Sequence, residues 1–149
     1  MRRTILFIGA ISLFALLALA AGCGSAGNSA GTDSPATGKT IATGPAGNNL
    51  TVTLSNADGS LKKGSQEFTL AFTDASGKPV DVGSVAFNNH MAAMGGMGAM
   101  NNSATLTTTG TPGIYRGKID IEMAGEWQAQ ITYEGPAGKG SLSLSVVAK

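Results

Sequence analysis

The sequence predicts an all-β fold, an immunoglobulin-like antiparallel β-sandwich of about seven strands, preceded by a signal peptide and a disordered linker. Three observations predict it. Apolar residues in the second half of the 149-residue chain recur with a period of two, which is the spacing of half-buried strands. Turn signals rich in Gly, Pro and Asp separate these runs at intervals typical of sandwiches. No segment of this region sustains helical periodicity.

The first element is a targeting segment. Arg2 and Arg3 are followed from Ile5 to Ala21 by an uncharged, mostly apolar run, the basic and apolar regions of a secretory signal. The run is long enough to serve alternatively as a membrane anchor. Its end favours cleavage: Leu19-Ala20-Ala21-Gly22-Cys23 resembles the lipobox of bacterial lipoproteins, with Ala20 where a large aliphatic residue is usual. Residues 1–22 are therefore expected to be an export signal, and Cys23 the lipidated residue that tethers the protein outside the cytoplasmic membrane. Cys23 is the only cysteine, so no internal disulfide forms, and lipidation removes a free thiol from an oxidising compartment. Gly24 is not a signal for inner-membrane retention, which favours the outer membrane where the cell has one.

Residues 23–48 form the second element, expected to be a flexible linker of Gly, Ser, Ala, Thr, Pro and Asn. Such a composition buries too little apolar surface to offset the entropy of ordering. As a coil it would span about 25–30 Å.

Residues 49–149 are the expected domain. Leu50, Val52 and Leu54 alternate with polar residues; after the Asp58-Gly59 turn, so do Phe68, Leu70 and Phe72. Asp74-Ala75-Ser76-Gly77-Lys78-Pro79 punctuates the chain, and a third strand is expected over residues 82–87. Further strands are expected over 104–108, 115–121, 127–133 and 142–147. Tyr115, Ile119 and Ile121 share one face, opposite Arg116, Lys118 and Asp120, and the alternation returns at Trp127, Ala129, Ile131 and Tyr133. With no inter-sheet disulfide, Trp127, the one tryptophan, is expected to anchor the core.

The stretch that carries chemistry runs from His90 to Met100, with the one histidine and, at Met91, Met94, Met97 and Met100, four of the six methionines. Gly95, Gly96 and Gly98 disfavour a helix, and a Gly-rich loop can turn several thioethers toward one point. Thioether sulfur suits Cu(I) and Ag(I), with an imidazole as a further ligand. Methionines also fill irregular core gaps or form permissive partner surfaces, so packing and docking stand beside metal binding. If every connection reverses direction, the loop from 88 to 102 shares an end of the sandwich with residues 121–126. The candidate site is then His90, Met91, Met94, Met97, Met100 and Met123, with the edge of Trp127 nearby.

From Phe68 to Val147 the chain resembles a YtkA-like domain, related to FixH-like proteins. The features are Phe68-Thr69-Leu70-Ala71-Phe72-Thr73-Asp74, Gly77-Lys78-Pro79-Val80, the Met91–Met100 string, Gly113-Ile114-Tyr115-Arg116-Gly117 and Met123-Ala124-Gly125-Glu126-Trp127. The usual proline after the first methionine of the string is Ala92 here. The resemblance implies an extracytoplasmic β-sandwich, often a lone lipoprotein or an appendage of periplasmic adaptor subunits of heavy-metal efflux systems.

Several classes are disfavoured. Losing Arg2 and Arg3 with the signal leaves the basic residues just short of the nine acidic ones, which is no footprint for nucleic acid. One histidine, no clustered carboxylates and no free cysteine nucleophile disfavour an enzyme. Two functions are left: a Cu(I)/Ag(I) binding or carrier module, and a non-catalytic interaction domain whose Met loop docks onto a heavy-metal efflux or oxidase-assembly partner.

Overall fold

The computed structural model describes residues 38–149. The signal peptide over 1–22, Cys23 and the first part of the expected linker lie outside the described residues. Within them the fold is all-β, with nine strands and no helix. In chain order these are β1 (Lys39–Gly47), β2 (Leu50–Asn56), β3 (Gly64–Thr73), β4 (Ser84–Met91), β5 (Met100–Ser103), β6 (Thr105–Thr108), β7 (Ile114–Ile121), β8 (Gly125–Gly135) and β9 (Gly138–Ala148).

They form two antiparallel sheets, ordered β1-β2-β3-β7-β6 and β5-β4-β8-β9. The predicted sandwich is thus observed, and each of the seven expected strands has its counterpart. Between the sheets lies one core, in which Val52, Leu54, Leu70, Phe72, Ile121, Trp127 and Ile131 are essentially solvent-free. Aromatic rings knit its middle: Phe68 and Phe87 reach across with centroids 4.7 Å apart, and Phe72 meets Tyr133 edge-on at 5.4 Å. The Tyr115 hydroxyl donates to the Gly83 carbonyl at 2.7 Å. Burial, reinforced by the nearby Asp81 carboxylate, pushes that phenol above its ordinary pKa.

β1 and β5 are the two unexpected strands. The first corrects the linker boundary: residues 39–47, assigned by composition to a flexible tether, are a strand paired with β2. Three interactions outweigh the poor composition. The β1–β2 hairpin closes through Asn48 and Asn49, both at positive φ (51° and 57°), as a two-residue turn compatible with strand twist requires. Ala46 is buried in the core. The Tyr133 hydroxyl, from the opposite sheet, donates to the Ala46 carbonyl at 2.8 Å. A backbone ladder and one cross-sheet bond hold a segment whose side chains alone would not.

Candidate functional site

The sandwich's chain reversals determine what meets at one end. β4 pairs antiparallel with β8 in a register that sets His90 opposite Gln128, so the end of β4 lies beside the start of β8. The shared end expected for the Met stretch and residues 121–126 is observed.

The expected loop from 88 to 102 is largely a hairpin. β4 and β5 pair Asn88 with Ser103, Asn89 with Asn102, His90 with Asn101 and Met91 with Met100. The same register continues to the tip, where Met94 and Met97 exchange backbone hydrogen bonds of 3.2 and 2.8 Å across Gly95-Gly96. Both glycines have positive φ, 54° and 91°, the condition for a two-residue turn that matches the strands' twist. In such a directly opposed pair the two side chains leave the same face. Met94 is 55% and Met97 45% exposed.

Strand alternation then divides the six candidate residues. Phe87, Asn89 and Met91 on β4 are buried, whereas Asn88 and His90 between them are half-exposed. Met91 therefore belongs to the core, and its methyl reaches Gly125 so closely that a Cβ there would lie 2.9 Å away. Met100, across from Met91, and Met123 are partly buried and pack against the same core. Met123 also accepts a 3.1 Å hydrogen bond at its carbonyl from Trp127 Nε1. The six residues consequently form two groups, with Met91, Met100 and Met123 on the core and His90, Met94 and Met97 toward solvent.

A shallow groove of about 420 Å³ is lined by His90 and Met94 of the outer group, and by Met91 and Trp127 of the core. His90, Ala92 and Met94 form one wall; Glu126, Gln128, Ser145 and Val147 of β8 and β9 form the other. Val147, 54% exposed, is with Met94 and Met97 one of the exposed large hydrophobic residues among those described.

The imidazole is held from the side away from the groove. His90 Nδ1 lies 2.9 Å from Asn101 Oδ1 on β5. Asn88 Nδ2 approaches that same oxygen at 3.4 Å and Gln130 Oε1 at 3.5 Å, while Ser103 Oγ donates to Asn88 Oδ1 at 3.3 Å. Asn101 and Asn88 escaped the sequence reading, although a signal existed: taking Gly95-Gly96 as a two-residue turn fixes the register and pairs 90 with 101. One feature at this end has no counterpart in the sequence pattern. Asn89 is fully buried, and neither atom of its amide has a hydrogen-bond partner among the described residues.

Among the described residues, no three His, Cys, Asp or Glu side chains cluster closely enough to hold a metal ion. The groove offers thioether sulfur and one imidazole beside the single Glu126 carboxylate, and the sulfur donors suit a soft monovalent ion.

A family model described as YtkA-like matches residues 46–132, more than half of the chain, from within β1 to within β8. No curated protein matches.

Proposed function

This chain belongs to the YtkA-like family, and on that premise we propose that it is a membrane-tethered extracytoplasmic lipoprotein whose methionine hairpin binds Cu(I) or Ag(I) in metal homeostasis or efflux. Lipidated Cys23 is the tether in this reading, the partners are components of heavy-metal efflux or oxidase assembly, and the domain binds without catalysing a reaction or engaging nucleic acid.

The carrying observation is the Met94–Met97 pair, two exposed thioethers on one face of a two-residue turn, with His90 in the groove that Met94 lines. Thioethers need no deprotonation and do not form disulfides, so they remain available outside the cytoplasm. A harder ion such as Zn(II) gains little from them, and one imidazole is too few to compensate. Met91, Met100 and Met123 pack on the core beneath the hairpin, and of these Met91 also lines the groove.

The second reading, a docking module, is favoured by the exposure of Met94 and Val147 along one groove and of Met97 beside Met94 at the hairpin tip, since adaptable methionines suit partner surfaces. An anaerobic Cu(I) competition titration on the full chain in detergent separates the two, run on wild type and on the Met94→Leu/Met97→Leu double variant with thermal unfolding in parallel. Metal binding predicts about one Cu(I) per chain, a melting temperature raised by mass action, and a loss in the double variant far larger than in either single one. His90→Ala should weaken binding less than the pair. If wild type neither competes for Cu(I) nor shifts its unfolding, the docking module takes over.

A further inference from the structure

Resting on the metal-binding reading, we propose that Asn101 is a positioning residue that holds the neutral His90 imidazole with its proton on Nδ1, so that Nε2 is the nitrogen offered to the soft ion. The 2.9 Å contact joins His90 Nδ1 to an amide oxygen, which only accepts. Asn88 Nδ2 faces the same oxygen at 3.4 Å, in keeping with the Asn101 amide presenting its oxygen to both groups. With that orientation, Nδ1 is the donor. A neutral imidazole carries one N–H, and with that proton on Nδ1 the lone pair is on Nε2.

The direction matters as much as the tautomer. Asn101 lies on β5, to one side of β4, while His90's partner on the other side is Gln128 of β8. Engaging Nδ1 toward β5 leaves Nε2 as the free nitrogen of a ring that lines the groove with Met94. Metal-ligating histidines characteristically have their second nitrogen held in this way, and removing the partner typically costs 10–100-fold in affinity. The neighbours of Asn101 extend the restraint, because Asn88 is itself held by Ser103.

Because His90 is the only histidine, its two ring nitrogens can be read without ambiguity by two-bond ¹H–¹⁵N correlation in the full chain in detergent, at a pH where the ring is neutral. The expected result is the Nδ1–H tautomer in wild type, a shift toward Nε2–H in Asn101→Ala, and restoration in Asn101→Asp, whose carboxylate still accepts. On addition of Ag(I), Nε2 and the Met94 and Met97 methyl signals should move. Asn101→Ala should bind Ag(I) 10–100-fold more weakly than wild type, and Asn101→Asp should recover most of that loss. An Nε2–H tautomer in wild type overturns the role of Asn101, and methionine methyls that still respond to Ag(I) then leave the metal-binding reading standing. If neither the ring nor any methyl responds to Ag(I), both fail.

Discussion

Trp127 Nε1 donates to the carbonyl of Met123 at 3.1 Å, which ties the largest buried side chain of the core to the turn that carries the fifth methionine of the domain. Trp127 is 1% exposed, so its truncation leaves a large void as well as an unbonded carbonyl. Trp127→Ala should cost about 3–5 kcal/mol in urea unfolding. Trp127→Phe should cost less, since it keeps most of the apolar volume and loses the hydrogen bond. Equal losses in the two variants would show that the bond, not the ring's volume, dominates.

β1 makes a prediction opposite to the one composition alone supports. A domain beginning at Gly38 should unfold cooperatively with a β-type circular dichroism spectrum. One beginning at Asn49 lacks the burial of Ala46, the packing of Ile41 and the Tyr133–Ala46 bond, and it exposes β2 as a new edge. The shorter form should lose about 2 kcal/mol or more and aggregate more readily. Equal stability of the two would return β1 to the tether.

Asn89 should be replaceable at a gain. Its amide is buried and unpaired among the described residues, and an unsatisfied buried polar group costs about 1–3 kcal/mol. Asn89→Leu, close in size, should raise the denaturation midpoint with an unchanged m-value. A destabilised variant would mean that the amide is satisfied in solution.

Asp74 gives a pH dependence of known sign. Its Oδ1 accepts from the Ser76 hydroxyl and from the backbone N–H groups of Ser76 and Lys78, at 2.5, 2.8 and 3.0 Å. These bonds, with that from the Ser76 hydroxyl foremost, hold its pKa below the ordinary carboxylate value. A lowered folded-state pKa stabilises fully above the unfolded-state value, and the contribution is lost as pH falls through the folded one. Acid unfolding should therefore include a component that Asp74→Asn removes. Titration curves of the two proteins that run parallel down to low pH would reject it.

Cys23 lies outside the described residues, and its role rests on the Leu19–Cys23 motif. Cys23→Ser should block lipid attachment and leave an uncleaved or mis-sorted protein. Mass spectrometry of the mature wild-type chain should find a lipidated Cys23 at its start; an unmodified thiol would remove the tether.

Much of the domain was legible because sandwich strands announce themselves by alternation. Trp127, Ala129, Ile131 and Tyr133 face the core as their spacing implies, and reversal of direction at each turn was enough to put the Met stretch and Met123 at one end. β1 was not legible, because Lys39-Thr40-Ile41-Ala42-Thr43-Gly44-Pro45-Ala46-Gly47 has no apolar period and is held by backbone bonds and by a tyrosine 87 residues away in sequence. The turns were half-legible: Asn48-Asn49 and Gly95-Gly96 are both residue pairs that tolerate positive φ, and reading them as turns would have supplied β1's hairpin and the Met register.

The sequence by itself determined the all-β class, the seven main strands, the core tryptophan and the soft donors gathered near one end, because side-chain chemistry and a period of two are local properties. Only the tertiary structure decided which methionines face solvent. A one-residue step along a strand turns a side chain to the opposite face, so His90 went to the groove and Met91 to the core. Five methionines that look alike in the sequence were thereby divided, Met94 and Met97 joining His90 in the outer group and Met91, Met100 and Met123 packing on the core.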